Sequence, residues 1–361
     1  STAAALLIKK KLKIPYIYLA TSFLFDNFFD KKITKTSIDS QFKKNKWHIF
    51  YEIEKNILKY SDVLVIPNYL NFEKLSNNIF YRKILNSKNL NIQRINTGIF
   101  SEKIEEVKNT AANIEYLSSL IIPQISDDRK NLPCILTDFK NKKISADNIN
   151  NLLKLYDKSE ILKNKTNVII VTLNSCDKKS NYDDLKKLLN KYNKTQGIYI
   201  VLLKDYLKEI YYIFDYFKKK ESVYFYYSND NYNIGNSMIA ALVGLPIILN
   251  KNLRANEFIE HNKNGLMFVN IKQAENLLNL LFTDEKIYKL YSEKAIRRVE
   301  NNYLWKNIRK KYYKIFEALN NCKQYINVSS IIIPKILEKN ISNQDEEYYK
   351  TEFTNFVFGN N

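Results

Sequence analysis

From residue 160 onward, apolar runs of four to seven residues alternate with longer stretches of helical spacing, the sequence form of repeated βαβ units. Val168–Leu173 (VIIVTL) reads as a buried strand, Asp183–Tyr192 as a helix, Gly197–Leu203 as a strand and Tyr206–Lys219 as a helix. Val223–Tyr227, Ser237–Val243 and Pro246–Leu249 continue the order as strand, helix and strand. Such alternation builds a parallel sheet covered by helices on both faces, with ligands held outside the carboxyl ends of the strands. Residues 1–100 follow the same grammar: a helix Ala3–Lys11, a strand Pro15–Leu19, a long helix Trp47–Tyr60, a strand Asp62–Ile66 and a short strand around Ile92–Ile95. Glu102–Leu132, polar and without a clean period, reads as the connection between two α/β units.

A chain of 361 residues has room for two such units, and 45% hydrophobic residues exclude disorder. Glycine narrows the nucleotide chemistry. There are only six, at Gly98, Gly197, Gly235, Gly244, Gly265 and Gly359, and they form neither G-x-G-x-x-G nor G-x-x-x-x-G-K-[ST]. A standard dinucleotide fingerprint and a Walker loop are therefore excluded within this sequence. His48, His261, Cys134, Cys176 and Cys322 lack metal-ligand spacing, so neither a metal nor a cofactor is expected. Three cysteines without a pairing pattern suit a reducing, cytoplasmic location.

The longest near-continuous apolar stretch, Ile239–Leu249, is about half of the ~20 residues that a membrane-spanning helix needs. Ser1–Ile8 has no basic region before its apolar run and does not read as a signal peptide. The excess of 57 Lys+Arg over 38 Asp+Glu, a net +19, raises the question of a polyanionic partner. The lysines are spread from Lys9 to Lys350, whereas a nucleic-acid face clusters its charge, so nucleic acid is not the expected partner. The stripe Tyr211, Tyr212, Phe214, Tyr216 and Phe217 could stack bases, but its helical spacing suits core packing with snorkelling lysines at 218–220.

The stretch Asn231–Asn270 (NYNIGNSMIAALVGLPIILNKNLRANEFIEHNKNGLMFVN) is similar to the donor-site segment of retaining family-four glycosyltransferases. Ala240, Gly244, Leu245, Pro246, Ile248, Glu257, Asn264 and Gly265 fall in register with that family's E-A-x-A-x-G-L-P-V-I and downstream acidic and N-G positions. Ala3–Ser22, Glu52–Pro67 and Arg94–Ile99 resemble successive segments of its first domain. Ile149–Asn174 and Asp184–Tyr192 are most similar to the sucrose-phosphate synthase and sucrose synthase branch, whose closing segment residues 289–319 resemble.

The resemblance implies a GT-B fold: α/β, two facing Rossmann-like parallel-sheet domains, the first incomplete because its opening units are missing. It divides the chain into an acceptor-side domain at 1–120, a nucleotide-sugar-binding domain at 121–320 and a C-terminal extension at 321–361. The implied reaction is glucosyl transfer from UDP-glucose to a sugar phosphate.

The departures from the family fall at the chemistry. The two donor-segment glutamates, eight positions apart, map to Asn231 and Ile239, and the catalytic-site His maps to the acceptor-side Thr21. The R-x-x-x-K pair that holds donor phosphates lies near Leu136–Asn148, where Lys140, Lys142 and Lys143 offer point charges without arginine's fork, or simply form a solvated cluster. The Gly-Gly pair maps to Leu253 and Arg254. Asn231 can still bond a ribose hydroxyl or be a plain loop residue, Asn236 is a further donor-side candidate, and Glu257 is either a ligand-facing or a solvated acid. Charge-assisted bonds contribute roughly 1.5–3 kcal/mol each. Loss of the ribose carboxylate with two of them costs about 3–6 kcal/mol, or roughly 10²–10⁴ in affinity. No catalytic residue is assigned. The expected function is a sucrose-phosphate synthase-type protein with lost or much reduced transfer; the alternative is a silent GT-B scaffold that binds or regulates a protein partner.

Overall fold

The computed structural model describes residues 17–20, 57–58, 60–67, 91–100, 125–139, 142–173, 179–190, 197–203, 206–227 and 234–321. The chain divides into two compact units, one of Ser1–Ile95 with Tyr312–Asn361 and one of Asn96–Lys311.

The first unit contains a parallel three-stranded sheet in the order β1 (Ile17–Leu19), β2 (Val63–Ile66), β3 (Asn91–Arg94). Its centre is VLVI, a run without alternation, and all four residues are buried, as a parallel strand covered on both faces requires. The predicted helix Ala3–Lys11 lies outside the described residues, as does most of Trp47–Tyr60, of which 57, 58 and 60 are helical.

The second unit carries six parallel strands: β4 (Cys134–Phe139), β5 (Asn167–Leu173), β6 (Ile198–Leu203), β7 (Val223–Tyr226), β8 (Ile247–Asn250) and β9 (Leu266–Phe268). Their spatial order is β6-β5-β4-β7-β8-β9, so the chain winds outward from β4 in one direction and returns to wind the other way from β7. The helices are α1 (Lys142–Lys158), α2 (Glu160–Lys165), α3 (Lys179–Asn190), α4 (Tyr206–Lys218), α5 (Gly235–Val243), α6 (Leu253–Phe258), α7 (Ile271–Thr283), α8 (Glu285–Asn302) and α9 (Trp305–Asn321). Leu136, Val171, Tyr224 and Leu249 share one sheet face with the apolar sides of α4 and α5; Ile135, Ile170, Phe225 and Phe268 pack with α1, α3 and α7 on the other. The alternation of covered faces along each strand explains why the strands read as continuous apolar runs.

Predicted and observed elements differ at their ends for local reasons. Gly197 sits before β6 as a turn residue at φ +80°, and Pro246, which has no N–H for a ladder, precedes β8 while its carbonyl accepts from Tyr224 at 3.0 Å. The aromatic stripe is core: Phe214 and Phe217 are fully buried and Phe214 meets the Tyr224 ring edge-on at 5.5 Å. Among the described residues no helix is long and apolar enough to cross a membrane.

Cys134, at the start of β4, is buried, and burial pushes its thiol up to about 12. The folded state therefore keeps a proton that the unfolded chain releases from about pH 9, so this contribution to stability is complete below pH 9 and is lost as pH rises toward 12. Urea midpoints taken from about pH 9 to 10.5 should show roughly 2 kcal/mol less loss in Cys134→Ala than in the parent.

Candidate functional site at the sheet's switch point

The reversal of winding leaves β4 and β7 side by side with their following helices on opposite faces, α1 on one and α5 on the other. In open α/β sheets this is where a crevice opens at the carboxyl ends of the strands. A buried polar cluster ties the two strands together there. Asn148 of α1 donates from Nδ2 to Thr137 Oγ1 at 2.7 Å and to the Asp138 carbonyl at 3.4 Å, while its Oδ1 accepts from the Tyr227 amide at 2.8 Å. On the opposite face the Tyr224 hydroxyl donates to the Asp138 carboxylate. Asp138, Asn148 and Tyr224 are all buried, so their bonds compete with little water and fix the spacing of the β4 and β7 ends. Asn148→Ala, which strips the three bonds and removes the side-chain acceptor of the Tyr227 amide, should cost about 1–3 kcal/mol in urea unfolding.

Above β7, α5 begins at Gly235 behind Ile234, a residue that cannot cap through its side chain. Asn236 and Ser237 are buried in this first turn, and among the described residues Ser237 Oγ has no hydrogen-bond partner, nor has Thr172 Oγ1, one residue from the carboxyl end of β5. The rest of α5, Met238 to Val243, is apolar and buried, including Ile239. It ends in a left-handed Gly244 at φ +96°, whose amide bonds to Ala241 at 3.0 Å while that of Leu245 reaches Ala240 at 2.9 Å. Ser292 of α8 donates to the Gly244 carbonyl at 2.6 Å and holds this turn. Gly-Leu-Pro is therefore explained as a helix-to-strand turn.

Beyond β8, Asn252 caps α6 by accepting from the Ala255 amide at 2.8 Å, and Leu253 and Arg254 form the first turn of that helix. Glu257 lies half-buried in α6; its backbone carbonyl accepts from Tyr303 Oη at 2.8 Å and from Arg298 at 3.3 Å. Asn264 staples its own loop, donating to the Phe258 carbonyl at 2.9 Å and accepting from the Glu260 amide at 2.6 Å. His261 Nδ1 accepts from the Met267 amide at 2.9 Å, which gives the ring a place in the loop and puts the proton of the neutral imidazole on Nε2.

Lys142 and Lys143 open α1, Asn236 lies in the first turn of α5 and Glu257 in α6, so all four belong to helices that follow the adjacent strands β4, β7 and β8. Thr21, Lys140 and Asn231 lie outside the described residues. Asp138, Asn148, Tyr224 and Ser237 were not singled out by the sequence pattern. Asp138 left one signal, a lone charge inside the otherwise uncharged strand CILTDF. Asn148 and Ser237 look like ordinary helix residues until the strand order is known.

No protein-family model matches the chain. An uncharacterized glycosyltransferase of Methanocaldococcus jannaschii is 27% identical over 298 residues, which is 79% of this chain; the match spans 66% of that relative's length. Among solved structures, sucrose-phosphate synthase from Thermosynechococcus elongatus superposes with a TM-score of 0.57 at 14% identity, covering 87% of this chain and 71% of that one. Anabaena HepE in complex with UDP-glucose superposes with a TM-score of 0.59 at 11% identity, covering 88% and 76%. The architecture is GT-B, with parallel sheets of three and six strands in its two Rossmann-like units. Within that fold its sequence is similar to that of the archaeal glycosyltransferase.

Proposed function

We propose that this chain is a nucleotide-sugar-binding protein of the sucrose-phosphate synthase type in which glucosyl transfer from UDP-glucose to a sugar phosphate is lost or much reduced. The carrying observation is Ile239, an aliphatic side chain only 7% exposed on α5 at the position where the resemblance expects a glutamate. Hydroxyl recognition by a carboxylate at that point has no chemical substitute in an isoleucine. The buried Ser237 hydroxyl in the first turn of α5, without a hydrogen-bond partner among the described residues, supports an anionic diphosphate at this helix start, where the helix dipole favours negative charge. Binding thus survives better than turnover.

Two measurements test the reading. Isothermal titration of UDP should give a detectable but weak complex. Release of UDP from UDP-glucose with fructose 6-phosphate or fructose should stay at background, because loss of several transition-state contacts multiplies to orders of magnitude even when the effects are not additive. Turnover by the unmodified chain that Lys140→Ala abolishes would overturn the proposal and restore a transferase that works with lysines.

A further inference from the structure

Helix α9 presents an unusual exposed surface. Its inward stripe is ordinary: Ile308 and Ile315 are buried and Tyr312 and Leu319 are partly so. Beside that stripe runs a second row made of Trp305, Arg309, Tyr313 and Phe316, in which the three aromatics are 38%, 55% and 50% exposed. At the helical rise the row extends over about 16 Å. Phe100, 51% exposed, packs its ring 6.0 Å from that of Trp305 and widens the same end. The remaining outer side carries Lys306, Lys310, Lys311 and Lys314, all exposed, with Glu317 as the one acidic residue of the helix. Other exposed large apolar residues, such as Ile161, Val269 and Leu290, are single aliphatic side chains well separated in sequence.

We propose that α9 docks on the surface of an anionic lipid bilayer. A helix lying in the interface places aromatic side chains at headgroup depth and basic ones against lipid phosphates, and α9 sets these two classes side by side along one axis. Five basic residues against one acidic give this helix a net charge of +4, complementary to an anionic leaflet. A single nucleic-acid strand is the poorer match. Base stacking needs aromatic platforms at close, regular steps, whereas Trp305 and Tyr313 lie eight residues apart, about 12 Å along the axis. The tryptophan and tyrosine types are those enriched where water meets lipid. Nothing in this inference rests on the donor site, so a transferase and a silent scaffold would dock alike.

Co-sedimentation of the full chain with vesicles tests the proposal. Phosphatidylcholine vesicles containing about 30% phosphatidylglycerol should retain the protein at least tenfold more strongly than pure phosphatidylcholine, and raised salt should weaken the binding. The double variant Tyr313→Ser, Phe316→Ser and, separately, Lys310→Glu with Lys314→Glu should each lower binding about tenfold or more. Thermal midpoints should stay near the parent's, because these side chains are exposed. Equal retention on neutral and anionic vesicles, or none on either, would overturn the proposal. So would variants that leave vesicle binding intact. If the aromatic variant instead abolishes submicromolar binding to single-stranded nucleic acid, or converts a dimer into a monomer at unchanged vesicle retention, the face belongs to that other partner and the membrane assignment fails.

Discussion

Arg129→Met should destabilise the second unit by about 3–5 kcal/mol, and the reason lies in what the guanidinium holds together at the amino ends of the strands. Arg129 is buried just before β4. Its Nε donates to Asn167 Oδ1 at 2.8 Å, and its Nη2 serves the Lys163 carbonyl at 2.7 Å, the Tyr156 hydroxyl at 3.1 Å and the Thr166 carbonyl. Asn167 returns a bond to the Arg129 carbonyl at 2.9 Å, so the residue locks the entry of β4 to the first residue of β5 and to the end of α2. Methionine fills part of the space and supplies none of the donors. Each buried acceptor left short costs roughly 1–3 kcal/mol, with Thr166 partly compensated because Tyr156 also donates to it at 2.9 Å. Gly197→Ala should act on the same network: its Cβ would stand 2.5 Å from Tyr156 Oη and 2.7 Å from Arg129 Nη2, on a backbone at φ +80°. Because both changes break one network, the double variant should lose less than the sum of the singles in urea unfolding. UDP affinity of the folded fraction should stay within about twofold of the parent, since the network sits at the opposite end of the strands from the switch point. A large affinity loss with unchanged stability would contradict this division of roles.

The parallel sheet was legible because its determinants are local and repetitive. Runs such as Val168–Thr172 and VYFY are buried on both faces, and the Gly-Leu-Pro turn between α5 and β8 fixes helix followed by strand through one left-handed glycine. Strand order was not legible from periodicity, because pairing of β4 with β7 joins residues almost ninety positions apart and depends on which edges the helices leave open. The candidate site inherits that limit. Asn236 and Glu257 could be placed from the family resemblance, but Asn148 and Tyr224 acquire meaning only once β4 and β7 are neighbours. Arg129 was hidden for another reason: it lies in a stretch without period, read as a connection, and two of the four acceptors of its guanidinium are backbone carbonyls that no residue pattern announces.

Returning the two missing carboxylates should not return activity, and Ile239→Glu is expected to be the more damaging half of that pair. Ile239 belongs to the apolar cluster on the face covered by α4, α5 and α8, with Met238, Ala240, Ala241 and Leu242 around it on a helix that packs against both neighbours. A glutamate there has two options, and both cost stability. Ionised, it sits in a low dielectric environment where water cannot follow; protonated, it still buries a carboxyl group whose hydrogen-bonding capacity the surrounding side chains cannot meet. The expected loss is about 3–5 kcal/mol, enough to unfold a large part of a domain of ordinary stability. Ile239→Leu, which keeps volume and polarity, should cost less than ~1.5 kcal/mol and serves as the control for packing alone. Asn231→Glu with Ile239→Glu should therefore show a lower urea midpoint and no UDP release above the parent. The damage should grow as pH rises through the range in which the buried carboxyl ionises, because the unfolded chain releases its proton at lower pH than the folded one. A double variant that keeps the parent's midpoint and gains turnover would show that α5 carries a carboxylate without strain, and the reading of its buried face as packing alone would have to be abandoned.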